Sequence, residues 1–274
     1  MPASPLGHGY ELVDAGEGRR LERFGDRVVD RPAPAALEPR RDQAAWSTAD
    51  LRFERLAGWL GPAGPWAIDI AGLTLELRPT EAGQVGLFPE HAVHWPWLKR
   101  EVRDRARGPS VLNLFAYTGA TTLALARAGA AVTHVDATRS AVGWARRSAE
   151  LSGLHGASIR WLVDDALEFS RREARRGRRY DGFVLDPPSY GHGAGGRTWR
   201  LDRDLRELLA QCAEIASDEP WVLLTAHTTG LDPVGLADSL EETFGRPAEP
   251  GISTLRATSG ATLPLGGHAR IMTS

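Results

Sequence analysis

Three acidic stations carry the chemistry that can be read from this chain: Asp136, the pair Asp164-Asp165, and Asp186. Each closes a short apolar run, Ala131–Val135, Trp161–Val163 and Phe183–Leu185 respectively. A carboxylate at the carboxyl end of a buried strand stands where open parallel sheets keep their ligands, and there it can accept hydrogen bonds from sugar hydroxyls. Asp136 follows Gly119 by 17 positions, the spacing of one helix and one return strand. Ahead of it, Val111-Leu-Asn-Leu-Phe-Ala-Tyr-Thr-Gly-Ala-Thr-Thr122 runs from an apolar strand through a tight Thr118-Gly119 turn into the helical pattern Leu123, Leu125, Ala126, Ala128. Such a turn aims backbone N–H groups and a helix N-terminus at one point. Together these residues read as a site for a nucleoside-containing cofactor. Gly119 alone would not carry that reading, because the turn is not G-x-G-x-x-G and many α/β proteins contain one like it.

The elements that must position these groups follow from periodicity. Strands are expected at 131–135, 159–163 and 182–185, with a helix over Leu167–Arg176. Glu219–Thr225 reads as a buried strand, Pro233–Phe244 as a helix, and Ile252–Ala257 with Thr262–Leu265 as a terminal hairpin. The first hundred residues differ in character. Tyr10–Val13, Arg19–Phe24 and Arg27–Val29 alternate between Gly-containing turns and read as short antiparallel strands. Residues 31–45, rich in Pro, Ala and charge, read as a linker or irregular arm. Trp66–Ile70 and Leu73–Arg78 flank Ala71-Gly72 as a hairpin, and His91–Arg105 reads as a helix feeding the sheet. The expected division is a small β-rich lobe over residues 1–90 and a larger α/β domain over 91–274. The lobe would be either a platform for substrate or a structural cap. No internal repeat is visible.

Asn113-Leu-Phe-Ala-Tyr-Thr-Gly119, Asp136, Asp164-Asp165-Ala166 and Asp186-Pro-Pro-Ser-Tyr190 together resemble the class I S-adenosylmethionine-dependent methyltransferases. Within that class the set is most similar to bacterial 23S ribosomal RNA methyltransferases that modify cytosine C5 or guanine N7. The likeness runs from about Gln84 to the C-terminus. It implies an α/β, Rossmann-like fold: a seven-stranded mixed sheet with an antiparallel last strand, helices on both faces, and the β-rich lobe ahead of it. It also implies S-adenosyl-L-methionine as cofactor. Phe115, Ala116, Tyr117, Thr118 and Gly119 would wrap the methionine end, Asp136 would hold the ribose and Asp165 the adenine amino group, with Asn113, Ala137, Asp164, Ala166 and Asp186 among the further cofactor-binding residues. Asp186, Pro187 and Pro188 would form the floor between methyl group and acceptor, with Tyr190 stacking on a planar base. Gln84–His91 resembles the segment that precedes the cofactor loop in these enzymes, which places Phe88 on the cofactor; as an isolated residue Phe88 is equally an ordinary core aromatic.

The acceptor is narrowed by what stands near Asp186. Exocyclic-amine methyltransferases carry an aromatic directly after the two prolines, whereas here Ser189 precedes Tyr190. Cytosine-C5 chemistry needs a thiolate to add to the ring. The expected places hold Pro187-Pro188 and Thr225-Ala226-His227, and Cys212 falls in the core pattern Leu205, Leu208, Leu209, Cys212, Ile215. A nitrogen acceptor such as guanine N7 is therefore favoured. His227 would be a base or contact at the mouth, or a structural histidine.

The charge evidence for RNA is mixed. The 274 residues carry a formal net charge of −2, unlike an obviously basic nucleic-acid binder. Yet Arg171–Arg179 is a dense basic run, and Arg197, Arg200, Arg203 and Arg206 recur at three-residue spacing after the loop Gly191–Gly196. Residues three apart share a helix face, so this second set could form a phosphate-facing stripe near Tyr190. A methyltransferase for a small molecule or protein, and a non-catalytic binder of a nucleotide cofactor, stay as alternatives; the Asp-Pro-Pro motif speaks against the last. The 42% hydrophobic and 25% charged fractions are those of a globular protein. No apolar stretch is long enough to cross a membrane. A single cysteine excludes an internal disulfide and a multi-cysteine metal site, and fits the cytoplasm. No metal is expected.

Overall fold

A computed structural model describes residues 9–105, 107–192, 198–227 and 232–273. The chain divides into two compact units: Met1–His94 with Arg147–Gly153 and Ser253–Leu265, and Trp95–Arg146 with Leu154–Ile252 and Gly266–Ser274.

The first unit is β-rich. Strands β1 (Tyr10–Gly16), β2 (Arg19–Phe24) and β3 (Arg27–Pro32) form an antiparallel meander, and β4 (Leu51–Glu54) joins β3 in parallel before pairing with β5 (Gly58–Leu60). β6 (Trp66–Ile70) and β7 (Leu73–Leu77) make the expected hairpin. The arm between β3 and β4 is held by one carboxylate: Asp14 Oδ2 accepts the N–H groups of Arg41 and Asp42, at 3.0 Å each, and the Trp46 indole N–H at 2.8 Å. The interior is unusually polar. Glu22 accepts from Tyr10 Oη at 2.9 Å and from Arg31 Nε at 2.5 Å, and Arg31 also donates to Gln84. Arg20 lies 3.7 Å from Glu90. Buried charges persist only when paired, so two arginines of the meander hold both ends of the Gln84–Glu90 segment. That segment leads into α1 (Pro89–Ala92).

The second unit is α/β. In chain order it contains α2 (Trp95–Arg103), β8 (Ser110–Leu114), α3 (Ala120–Ala128), β9 (Ala131–Asp136), α4 (Arg139–Leu151), β10 (Ile159–Val163), α5 (Ala166–Arg175), β11 (Tyr180–Leu185), β12 (Tyr190–His192), β13 (Thr198–Arg200), α6 (Leu201–Glu214), β14 (Ala216–Ala226), α7 (Pro233–Phe244), β15 (Glu249–Arg256) and β16 (Thr262–Ile271), with α4, β15 and β16 running on into the first unit. The sheet has seven strands in the order β10-β9-β8-β11-β14-β16-β15. The first five are parallel and β16 is antiparallel to β14, which is the mixed sheet the resemblance implied.

Alternation along these strands sorts two faces. Leu112, Leu114, Phe183, Leu185, Val222, Leu224, Ala269 and Ile271 pack with Phe169 of α5, Leu205, Leu208, Leu209 and Cys212 of α6, and Leu236 and Leu240 of α7. On the opposite face Trp221 meets Trp97 of α2 edge-on at 5.8 Å. A Cβ at Gly182 would fall 2.1 Å from the Trp221 ring, so this strand position admits only glycine. Cys212 is fully buried, and burial pushes its thiol up to about 12; it is a core residue. Several boundaries differ from expectation, and β1, β3 and β16 run on past their expected ends. The helix expected over His91–Arg105 is broken after Ala92 and restarts at Trp95, because Pro96 has no N–H to continue a helix but suits its first turn. β14 begins at Ala216 rather than Glu219.

Candidate active site

The loop between β8 and α3 is built under backbone strain. Phe115, Tyr117 and Gly119 all adopt the left-handed region, with φ of 56°, 48° and 80°. For the two aromatic residues that conformation costs roughly 1–3 kcal/mol each and survives only where surroundings enforce it. They do. Ala116 N–H donates to Val135 O (3.1 Å), Gly119 N–H to Ala116 O (3.0 Å), and Tyr117 N–H to Asp136 Oδ2 (2.8 Å). A Cβ on Gly119 would lie 2.8 Å from Ala145 Cβ of α4, so α4 closes against the turn. Left-handed residues at alternate positions fold a backbone into a concavity lined by N–H groups. Thr118 is buried within it.

Asp136 ends β9 beside this concavity. Its second oxygen, Oδ1, accepts Thr138 N–H at 2.8 Å. Burial raises its carboxyl above the usual range, while the Thr138 and Tyr117 N–H groups oppose the rise. The Thr138 hydroxyl donates to the carboxylate as well, and since each oxygen offers two lone pairs, acceptor capacity for a further hydroxyl is left. Ala137 follows, half-buried.

Asn113 stands beneath the loop. Its buried amide donates to Thr122 Oγ1 (2.8 Å), which in turn shares a hydrogen with His134 Nδ1 (2.9 Å). The His134 ring rests on Trp161 at 4.8 Å. Burial, with a smaller contribution from Arg146, lowers His134 to about 3, so it is neutral at physiological pH. Neither His134 nor Thr122 was singled out in the sequence. Each is one of two adjacent polar residues, Thr133-His134 in β9 and Thr121-Thr122 in α3, so neither stands out in its segment.

Asp164 and Asp165 follow β10. Asp164 N–H bonds Asp136 O (3.0 Å), which ties the two strand ends together, and its carboxylate pairs with Arg172. Asp165 caps α5: Oδ1 accepts Leu167 N–H and Glu168 N–H at 3.0 Å each, satisfying two otherwise unpartnered donors of the helix start. Ala166 opens the helix and is buried.

The Asp186–Tyr190 segment is organised by residues far along the chain. Thr225 Oγ1 donates to Asp186 Oδ1 (2.5 Å), and His227 Nε2 lies 3.6 Å from the same oxygen. Pro187 is buried and Pro188 exposed. The Pro188 carbonyl accepts the Trp199 indole N–H at 2.8 Å, and Ser189 O accepts Leu201 N–H at 3.1 Å. Tyr190 starts the short β12–β13 hairpin with its side chain 58% exposed. The imidazole of His227 lies over Gly266, where a Cβ would come 2.9 Å from Nδ1. Trp199 and Thr225 are the residues that reading motifs misses here, since neither belongs to a motif.

Among the expected substrate contacts, Arg197 lies outside the described residues, as do residues 193–196 of the Gly-rich loop. Arg200 is paired with Asp202 at 2.8 Å, Arg203 with Asp204 at 2.8 Å and Arg206 with Glu242 at 3.1 Å. Three of the six arginines in the basic run are paired as well: Arg171 with Glu168 and Glu207, Arg172 with Asp164, and Arg176 with Glu173. Phe88 belongs to the first unit, directly before α1, with its ring 6.0 Å from that of His91.

The chain matches the family of S-adenosylmethionine-dependent methyltransferases over residues 15–247, and it belongs to that family. A solved SAM-dependent methyltransferase from Agrobacterium tumefaciens is 35% identical with a TM-score of 0.93, covering 99% of this chain and 92% of that one. The methyltransferase SMU.776, complexed with SAH, shares the fold at 19% identity and a TM-score of 0.75, over 97% of this chain and 76% of that one. Among curated relatives, the ribosomal RNA large subunit methyltransferase K/L of Shewanella frigidimarina is 31% identical over 148 residues, 53% of this chain and 20% of that protein. The ribosomal RNA large subunit methyltransferase K of Neisseria meningitidis is 34% identical over 108 residues, 39% of this chain and 29% of that protein. The chain thus spans under a third of the length of these two curated relatives. The cofactor of the family is S-adenosyl-L-methionine. The residues present fit it: the strained 115–119 loop folds into a concavity beside Asp136, whose carboxylate keeps acceptor capacity.

Proposed function

We propose that this methyltransferase modifies a base of ribosomal or other RNA, in the cytoplasm, at a nitrogen acceptor. When bound, S-adenosyl-L-methionine supplies a methyl group made electrophilic by its sulfonium. The chain's own task is to hold donor and acceptor collinear at near-attack distance, which can supply many powers of ten in rate. In this reading Phe115–Gly119, Asp136, Ala137 and Asp164–Ala166 surround the cofactor, with Asn113 acting through the loop it supports. Asp186, Pro187 and Pro188 present acceptor atoms to the substrate edge, and Tyr190 offers an exposed ring for stacking.

The observation that carries the choice of atom is the position of Cys212, the chain's one cysteine, deep in the core with its thiol pushed up to about 12. A buried neutral thiol cannot add to a pyrimidine ring, so covalent C5 methylation has no nucleophile. The likeness to ribosomal RNA large subunit methyltransferases favours RNA. The pairing of Arg200, Arg203 and Arg206 with acids favours the second reading, a protein or small-molecule acceptor, because it reduces the charge available to phosphates. Transfer of tritiated methyl from the cofactor, screened over bacterial ribosomal RNA, protein extract and the small-molecule fraction, decides between them. Label in RNA that digests to an N-methylated nucleoside is the expected result; label confined to another fraction contradicts it.

A further inference from the structure

Trp199 touches both halves of the site. Its indole N–H donates to the Pro188 carbonyl at 2.8 Å, inside the Asp-Pro-Pro-Ser-Tyr segment. Its ring packs on Phe115 at 4.9 Å with an interplanar angle of 57°, and Phe115 is the first left-handed residue of the cofactor loop. The side chain is 4% exposed. Its own backbone pairs across the β12–β13 hairpin with Gly191, where a Cβ would sit 3.4 Å from Pro188 Cγ. Two positions on, Leu201 N–H holds Ser189 O at 3.1 Å. A residue that only filled the core would need the ring and not the N–H. Here the N–H, which can only donate, is committed to a carbonyl of the acceptor segment, while the ring rests on a strained residue of the cofactor loop.

We infer that Trp199 is a positioning residue that couples the two loops: occupation of the 115–119 loop fixes Phe115, and through Trp199 it fixes the Pro188–Gly191 segment that receives the acceptor. This rests on the methyltransferase assignment. It is a coupling between two distinct sites, carried by one side chain with a defined contact to each.

Amide hydrogen exchange with and without S-adenosylhomocysteine tests it without requiring the acceptor. In the wild type, saturating S-adenosylhomocysteine is expected to slow exchange both in residues 115–119 and at the amides of Ser189, Tyr190 and Gly191, each about tenfold. In Trp199→Phe, which keeps an aromatic ring and loses the N–H, affinity should stay within about threefold and protection of 115–119 should persist, while protection of 189–191 is lost. Retained protection of 189–191 in the variant overturns the proposal. So does wild-type protection confined to 115–119, a result that needs no folded variant. Failure of the wild type to bind S-adenosylhomocysteine contradicts the cofactor assignment instead, so the two failures are distinguishable.

Discussion

The cofactor loop and the acceptor segment leave neighbouring parallel strands, yet they are held in opposite ways. Residues 115–119 are strained, pinned by backbone hydrogen bonds, and secured by Asp136, 19 positions away from Tyr117. Residues 186–190 run through two prolines and are held from further along the chain, by the side chains of Trp199 at 11 positions and Thr225 at 39 and by the Leu201 N–H on Ser189 O. A ligand common to a whole family can be met by a loop that encodes its own shape. An acceptor that differs between relatives is better met by a simple segment whose supports can change one at a time.

The largest expected effect breaks the first loop. Gly119→Val puts a branched side chain at a φ of 80° and 2.8 Å from Ala145. We expect roughly 3 kcal/mol lost from unfolding in urea, together with loss of cofactor binding. Thr225→Val should break the second segment alone: by freeing Asp186 Oδ1 it lowers methyl transfer by about 10–100-fold and leaves cofactor affinity unchanged. Equal losses in both measurements would erase the contrast between the two loops.

Acid sharpens the comparison further, because the cofactor loop stands on a buried neutral histidine. His134 titrates at about 3 in the fold against an ordinary value of 6.5. As pH falls below 6.5 the unfolded chain takes up a proton that the folded chain refuses until about 3. Stability attached to this group is therefore lost between those values, by up to about 1.4 kcal/mol per pH unit. Burial, with Arg270 beside it, lowers His268 to about 4, and the sign is the same. His134→Gln should flatten the slope of unfolding free energy between pH 7 and 5, although it lowers stability at pH 7; an unchanged slope would remove His134 from the account. The smallest effect is predicted for Cys212→Ala, about 1 kcal/mol of stability from lost packing with turnover intact. Lost turnover at normal stability would restore covalent chemistry.

The same contrast explains what could be read from the sequence. The strand–turn–helix at 111–128 and the acid at 136 were legible because their partners lie within one β-α-β unit and local periodicity records them. The helix Pro233–Phe244 has the predicted bounds, since Asp232 caps it, Pro233 starts it and Gly245 ends it. The supports of the 186–190 segment were not legible: Thr225 reaches Asp186, and Trp199 reaches Pro188, only once β11, β13 and β14 are assembled. The ion pairing of the arginines was only partly legible, for a related reason. Asp202 and Asp204, partners of Arg200 and Arg203, stand in the same segment, but Glu242, partner of Arg206, comes 36 positions later. The terminal hairpin was underestimated because β16 continues through Gly266-Gly267, where the absence of side chains admits His227 and Pro233 but hides the strand's alternation.

The central claim is that a preformed loop secured by Asp136 holds the cofactor, and calorimetric titration of S-adenosyl-L-methionine into the wild type and Asp136→Asn tests it directly. The account predicts micromolar binding by the wild type, no binding of NAD, and a loss of at least about tenfold, or 1.4 kcal/mol, in a variant whose thermal midpoint is close to normal. Equal affinity in the two proteins would contradict it.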